Sequence, residues 1–209
     1  MLRNALFLLS SLFLILSSCK KEELSFLLEG TVTDGTFNTP LANTEVTIYT
    51  FELGGAQGNV VTTLTTDSQG SFSYELPRDK YEKIEIFIGK ENYFSYLDVI
   101  PFSDLSTEET NTFNYVVNAK AWTRFIIKNQ QPLQSDEFKI LKDSGKEDCA
   151  DCCPNGYTYY YGAADTVVVC PNDANNYMKF YYWVNGNESN GVDSVYNTPF
   201  DTTTYDFYY

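Results

Sequence analysis

The stretch DSQGSFSYEL, residues 67–76, decides the fold class because it joins a reverse turn directly to an alternating strand. Its first four residues are typical of tight turns, since aspartate, serine and glycine favour the backbone conformations that a reversal needs. In residues 71–76 the aromatic and leucine side chains fall on one side of an extended chain, and the serines and the glutamate fall on the other. We therefore predict a β-strand with one buried face.

Segments of the same kind recur through the first half of the chain. Turn signals separate them, among them Asp34-Gly35, Gly54-Gly55 and Pro77. About seven short strands in roughly ninety residues are typical of a Greek-key sandwich. Besides residues 71–76, the predicted strands are 28–33, 45–51, 60–65, 83–88, 96–100 and 112–117.

The second half repeats this organisation, so the fold class predicted is all-β, with two immunoglobulin-like sandwiches in tandem. We place the first over residues 27–118 and the second, which carries a cysteine-rich loop, over 119–209. Asn185-Gly186 and Asn190-Gly191 are expected to bracket a hairpin. The predicted strands of this half are 122–127, 138–141, 158–161, 166–170, 177–184, 192–196 and 203–208.

Three pieces of the first half occur in the order seen in a known family: Gly30–Asp34, Thr39–Asn43 and Thr66–Phe72. Over residues 26–118 the chain resembles the carboxypeptidase regulatory-like domain, a transthyretin-like sandwich found in Bacteroidetes surface proteins. The resemblance implies a scaffold or adaptor without catalytic residues of its own.

The amino terminus has the layout of a secretory signal, because Arg3 precedes an apolar run over residues 5–16. That run is too short for a comfortable membrane span, which needs roughly twenty residues. Leu16-Ser17-Ser18-Cys19 resembles the lipobox of bacterial lipoproteins, which implies that residues 1–18 are removed and that Cys19 is acylated. In the alternative, the protein is soluble and secreted, and Cys19 is incidental.

Residues 19–26 are then expected to form a lipidated tether, and Cys19 is expected to hold the protein on a membrane. The cluster Lys20-Lys21-Glu22-Glu23 resembles the export tag that sends Bacteroidetes lipoproteins to the outer face of the outer membrane. A solvated tether is the alternative interpretation of these four residues. The predicted location is the outer membrane, with display at the cell surface.

Composition excludes several classes of chemistry. Asp and Glu outnumber Lys and Arg by 28 to 14, for a formal net charge of −14, which argues against nucleic acid as a partner. The chain contains no histidine, so Ser-His-Asp and Cys-His catalysis and His-ligated zinc are excluded. We expect no cofactor, no metal and no catalytic residue, with a carboxylate-based hydrolase as the outside alternative.

Four cysteines remain after Cys19, namely Cys149, Cys152, Cys153 and Cys170. In an oxidising compartment an even number indicates disulfides, and we favour Cys149–Cys152 with Cys153–Cys170 because neighbouring cysteines bond poorly to each other. A four-thiolate zinc site is the alternative, with a redox role for Cys149 and Cys152 a weaker one. Asp148, Asp151 and Asp173 lie near enough in the sequence to suggest calcium, without a supporting repeat.

Clusters of aromatic residues in the second half provide the candidate binding site. Consecutive aromatic residues in a strand cannot all face one core, so some must be exposed. We name Tyr159, Tyr161, Tyr181 and Trp183 as a ligand platform for an unknown protein or glycan. Cross-strand ring pairing on an outer face is the alternative interpretation.

Three short motifs resemble the Asp-Ser/Thr-apolar sites at which Bacteroidetes O-glycosylate exported proteins, which implies modification at Thr166, Ser194 and Thr202. Together, these features lead us to expect a non-catalytic cell-envelope lipoprotein with a structural or binding role. The alternative function is a carbohydrate-binding accessory lipoprotein that uses exposed aromatic residues.

Overall fold

The computed structural model describes residues 24–154, 156–186 and 189–209. In these ranges the regular structure consists of fifteen strands and one 3-10 turn at Phe102–Asp104, so the all-β prediction is confirmed. Within the same ranges, no helix has the length and apolar character needed to cross a bilayer.

Two sheets form the first sandwich. In one sheet β1 lies between β5, which is antiparallel to it, and β8, which is parallel to it, while β2 pairs with the end of β1. The other sheet has the order β4-β3-β6-β7. The strands are β1 (Ser25–Asp34), β2 (Thr39–Pro40), β3 (Glu45–Glu52), β4 (Asn59–Thr65), β5 (Ser71–Pro77), β6 (Tyr81–Gly89), β7 (Tyr96–Pro101) and β8 (Asn111–Val117).

Alternating apolar side chains from both sheets form the core of the first sandwich. Leu28 and Val32 of β1 meet Ile48 of β3 and Ile86 of β6, and all four are fully buried. Gly30 stands at an inward position of β1 because the ring of Phe72 occupies the space beside it. A Cβ on Gly30 would lie 2.5 Å from that ring and 2.2 Å from a backbone oxygen of β8.

The turn predicted at residues 67–70 forms as expected. Gly70 adopts a φ of 72°, and its amide donates to the carbonyl of Asp67 at 3.0 Å. The carboxylate of Asp67 accepts hydrogen bonds from the amides of Gln69 and Ser71, both at 2.8 Å. This turn therefore delivers Phe72 to the core at the start of β5.

The first strand begins earlier than predicted. We assigned Ser25 and Phe26 to the tether, but β1 starts at Ser25, and Phe26 is 2% exposed. The ring of Phe26 packs edge-on against Phe102 with a centroid separation of 4.9 Å. Burial of this ring against Phe102 extends the strand. Because Phe102 is distant in the sequence, this contact could not be predicted from the local pattern.

The second sandwich also has two sheets, with orders β11-β10-β13-β14 and β12-β9-β15. Its core includes Phe125, Phe138, Met178 and Phe180. The strands are β9 (Lys120–Lys128), β10 (Glu137–Ser144), β11 (Gly156–Tyr161), β12 (Asp165–Asp173), β13 (Asn176–Val184), β14 (Ser189–Asn197) and β15 (Thr202–Tyr208).

The predicted hairpin between β13 and β14 is present, but Asn190-Gly191 does not flank it as a turn. Asn185 and Gly186 follow β13 with φ values of 46° and 76°, both in the left-handed region that turns favour. Gly191 lies within β14 opposite Tyr182. A Cβ there would lie 2.6 Å from the Tyr182 hydroxyl oxygen, so the glycine makes room for a ring and does not turn the chain.

The two sandwiches are in direct contact at the junction between β8 and β9. Ala119, Ala121 and Ala174 are buried against the first core. The amide of Ala119 donates to the hydroxyl of Thr36 at 2.9 Å. Phe94 lies close to two ammonium groups of the second sandwich, with Lys120 at 5.2 Å and Lys146 at 4.9 Å from its ring.

Candidate functional site

One outer face of the second sandwich carries a continuous group of aromatic side chains. The sheet β11-β10-β13-β14 buries alternate residues in the core, and strand register brings the remaining positions together on the opposite side. We call this surface the aromatic face. Its rings are Tyr157, Tyr159, Tyr161, Tyr177, Tyr181, Trp183 and Tyr196, and two lysines, Lys139 and Lys179, lie among them.

Lys139 lies at the centre of the aromatic face. It stands in register with Tyr159 on one side and Trp183 on the other. Its ammonium nitrogen is 4.5 Å from the centroid of a Trp183 ring and 4.9 Å from that of Tyr157, and these two side chains meet edge-on at 5.7 Å. The cation thus joins rings from two strands into one surface.

The second lysine anchors the other side of the face. Lys179 Nζ lies 3.2 Å from a carboxylate oxygen of Asp143 and 5.3 Å from the ring centroid of Tyr181. Hydrogen bonding to Asp143, and then to the Tyr181 hydroxyl, raises the pKa of Lys179 above its ordinary value. Lys179 therefore carries its charge throughout the neutral range.

Exposure differs across the face. Tyr159 and Tyr161 are 45% and 65% exposed, and their ring planes are within 5° of parallel at a centroid separation of 6.3 Å. Tyr181 and Trp183 are half-buried and also near-parallel, 6.2 Å apart. The four residues named from the sequence thus share one face, and rings on this face also pair with one another.

Three rings of this face are not among the four named from the sequence. Tyr157 continues the alternation of Tyr159 and Tyr161 along β11. Tyr177 and Tyr196 pair across β13 and β14 with a centroid separation of 5.1 Å, and both are exposed. The period of two along residues 177–183 places Tyr177 on the same side as Trp183, and this signal was available. The position of Tyr196 on this face follows from the register between β13 and β14, which the sequence does not supply.

The arrangement offers ring faces for stacking, two fixed ammonium groups and the carboxylate of Asp143. These groups recognise ligands with both apolar and polar surface, such as sugar rings or an amphipathic protein surface. The aromatic face therefore has the chemistry of a recognition surface.

No protein-family profile matches the chain, and no curated protein matches it in sequence. Similar solved structures include the TIE protein of Bacillus anthracis, at 20% identity over 88% of this chain and 34% of that one, with a TM-score of 0.39. The shaft pilin SpaA of Lactobacillus rhamnosus GG is 12% identical over 88% of this chain and 96% of the pilin, with a TM-score of 0.37. The chain is also similar to 3-chlorocatechol 1,2-dioxygenase of Rhodococcus opacus 1CP. The identity is 14% over 46% of this chain and 59% of the dioxygenase, and the TM-score is 0.32.

This chain spans about a third of the length of the Bacillus anthracis protein and nearly all of the Lactobacillus pilin. With TM-scores below 0.5, these similarities assign neither a family nor an activity.

The four remaining cysteines form two disulfides, Cys149–Cys152 and Cys153–Cys170, with Cα separations of 5.1 and 5.2 Å. This is the pairing that the sequence analysis favoured. It contradicts the four-thiolate zinc alternative, since each sulfur is bonded to another. The second bond fastens the loop between β10 and β11 to strand β12.

The three aspartates considered for calcium do not form a shared site. In the described ranges, no three His, Cys, Asp or Glu side chains are grouped so as to hold a metal ion. Asp173 instead lies 3.8 Å from Lys146 Nζ and accepts a hydrogen bond from the Asn118 amide at 3.2 Å. Its contacts belong to the junction between the sandwiches.

The three predicted O-glycosylation positions differ in accessibility. Ser194 is exposed on β14 and stands in register with Lys179, so it borders the aromatic face. Thr166 and Thr202 are half-buried. Modification at the three positions stays a prediction. Cys19, the predicted lipidation site, lies outside the described residues.

Proposed function

We propose that this chain is a non-catalytic cell-envelope lipoprotein that binds an extracellular ligand through the aromatic face. The observation that carries the proposal is the gathering of seven rings and two lysines on one outer sheet face. An exposed aromatic patch of this kind marks an interaction surface, because tyrosine and tryptophan combine large apolar area with polar groups at low entropic cost. Ring pairing alone does not require Tyr161 to be 65% exposed.

A carbohydrate ligand is the second candidate, and the geometry of β11 favours it. The rings of Tyr159 and Tyr161 are near-parallel, with centroids 6.3 Å apart along one strand, and Tyr157 continues the row with its ring tilted by 46°. Successive rings along an extended strand suit successive units of a linear glycan, since the apolar face of a sugar stacks on an aromatic ring. Lys139 adds a cation beside this row for hydroxyl or acidic groups.

Photo-crosslinking in native cells tests both candidates. A photoreactive tyrosine analogue at Tyr159 should capture a ligand, whereas the same analogue at Tyr208 should not. Tyr208 is a matched control because it is also exposed, at 52%, but lies in the other sheet of the sandwich. Adduct mass distinguishes a glycan from a protein. Equal capture at the two positions, or none at either, would contradict the proposed face.

We propose further that Cys19 is acylated and that the protein is anchored in the outer membrane with its face displayed at the cell surface. The signal-like segment over residues 1–18 and the lipobox resemblance support this proposal. Labelling with radioactive palmitate should mark the wild-type protein, and Cys19→Ala should lose both the label and its partition with the envelope lipid. A wild-type protein without label would refute the anchor and leave the aromatic face untouched.

The first sandwich is, in this proposal, a carboxypeptidase regulatory-like scaffold that separates the anchor from the aromatic face. Its strands run from residue 25 to residue 117, and the resemblance covers residues 26–118. The boundary between residues 118 and 119 is supported by the sheets, each of which draws its strands from one side of it. The first sandwich starts at Ser25, two residues before the predicted limit of residue 27. Contacts at the junction support a scaffold role because they hold the second sandwich against the first.

A further inference from the structure

A cavity of about 120 Å³ opens between the two sheets of the second sandwich. It lies on the side where the edge strands β11 and β12 face each other without backbone pairing between them. Its walls are core side chains, among them Phe125, Ile127, Ile140, Val168 and Phe180. The loop that carries Cys153 borders it, and the Cys153–Cys170 disulfide holds that border in place.

One cationic side chain interrupts the apolar lining. Lys142 follows Phe138 and Ile140 at the inward-facing positions of β10, and it lines the cavity. Its ammonium nitrogen donates to the carbonyl of Lys146 at 2.8 Å and to the carbonyl of Cys153 at 2.7 Å. A lysine ammonium has three N–H groups, so one N–H is left without an acceptor among residues 24–154, 156–186 and 189–209.

Lys142 also lacks an ion-pair partner among the residues that the structure describes, although Glu147 is close enough to influence its charge. Burial lowers the pKa of Lys142, an effect that Glu147 partly opposes. A half-buried cation beside apolar walls, with one N–H that no described residue accepts and no described carboxylate in contact, favours an anion that can accept this N–H.

We propose that this cavity binds a small monocarboxylate with an apolar body, whose carboxylate accepts the free N–H of Lys142. At about 120 Å³ the cavity is somewhat smaller than the cavity of about 150 Å³ that holds benzene, so its size suits a slim hydrocarbon chain of up to about six carbons. This site is separate from the aromatic face, since its walls belong to the inner sides of the sheets. It therefore does not depend on the proposed function.

Methyl NMR titration of the purified protein with hexanoate tests the proposal. Hexanoate should shift the methyl resonances of Ile127, Ile140 and Val168, whereas acetate, which lacks the apolar body, should not. Hexan-1-ol has the same chain without the charge, and it should bind about tenfold more weakly or worse, since it forgoes a charge-assisted hydrogen bond. Equal affinity for hexanoate and hexanol, or no shift with hexanoate, would overturn the proposal.

Two variants separate the roles of charge and space. Lys142→Met keeps the apolar part of the side chain without the ammonium group and should reduce hexanoate affinity to that of hexanol or below. Val168→Phe should fill the cavity and abolish binding of both. Lys179→Met is the matched control, because it removes a lysine from the outer side of the same sheet and should leave hexanoate binding unchanged. The methyl resonances of Val195, a buried residue of the second core that does not line the cavity, verify that the second sandwich is folded in each variant. Undiminished hexanoate binding by either of the first two variants would overturn the assignment.

Discussion

Asp136 shows how one side chain organises a loop in the second sandwich. One carboxylate oxygen accepts hydrogen bonds from the Asn129 side-chain amide and the Leu133 backbone amide, both at 2.8 Å. The other accepts from the Asn185 side chain at 3.2 Å. These bonds connect the turn before β10 to the turn after β13. The bond from Leu133, followed by that from Asn129, lowers the pKa of Asp136.

The first prediction concerns acid stability. Because the folded-state pKa of Asp136 is lowered, its ionised form stabilises the fold above its ordinary pKa of 3.8, and this contribution is lost as the pH falls through the lower folded-state value. Asp136→Asn should therefore unfold more readily at pH 6 and lose less additional stability between pH 6 and pH 2. Urea unfolding across that range measures the difference. Asp206→Asn, an exposed carboxylate on β15, should keep the wild-type pH profile; an unchanged profile in Asp136→Asn would contradict the assignment.

At the scale of elements, the loop between β10 and β11 depends on covalent attachment. It leaves β10 after Ser144 and returns at Gly156, and the Cys153–Cys170 bond ties it to a strand of the opposite sheet. The same loop brings Lys146 against Phe94 of the first sandwich. Attachment of the loop thus supports both the border of the cavity and the junction.

The second prediction compares the two disulfides. Cys153→Ala with Cys170→Ala removes a bond across a sequence separation of 17 and should cost about 3 kcal/mol of unfolding free energy, because the unfolded chain regains the closed loop's entropy. Cys149→Ala with Cys152→Ala opens a separation of only 3 and should cost less. Urea denaturation at neutral pH gives both values. Equal losses from the two pairs would show that loop closure is not the cause.

Strand positions could be predicted from the sequence because alternation is local. Residues 71–76 and 83–88 show their buried face directly, and β5 and β6 include both stretches. Features set by distant contacts could not be predicted. Gly191 resembled a turn residue, but it lies under the ring of Tyr182. Phe26 was assigned to the tether, but it is buried, and its ring packs against that of Phe102.

The candidate site was partly accessible to the same reasoning. Runs of aromatic residues showed that some rings must be exposed, and alternation grouped Tyr181 with Trp183. The role of Lys139 depends on the pairing of β10 with both β11 and β13, which is information about register and not about composition. Lys142 was missed because the predicted strand over residues 138–141 ended just before it.

At the scale of the whole molecule, Phe200 links the two sandwiches. Its φ of 62° lies in the left-handed region, which bulky side chains rarely adopt, and its amide donates to the carbonyl of Lys120 at 2.9 Å. The ring lies 5.6 Å from Tyr93 and 6.2 Å from Phe37, both in the first sandwich. Packing across the junction thus compensates an unfavourable backbone conformation.

The third prediction follows from this contact. Phe200→Gly accepts the left-handed backbone and removes the ring, so it should weaken the junction by about 1–2 kcal/mol. Calorimetry should show one unfolding transition in the wild type and two partly resolved transitions in the variant. Tyr208→Ala, which removes an exposed ring away from the junction, should keep a single transition. Separate transitions already present in the wild type would refute the coupling.

Parallel pairing of the first and last strands in each sandwich has a mechanical consequence. β1 runs alongside β8 from Leu28↔Asn111 to Asp34↔Val117, and β9 runs alongside β15 in the same way. A force that pulls residue 25 away from residue 117 loads this ladder in shear, so its hydrogen bonds must yield together and cannot open one after another. If the chain is anchored before residue 25 and binds its ligand through the second sandwich, as we propose, a pull on the ligand would load the pairing of β1 with β8 along the strands.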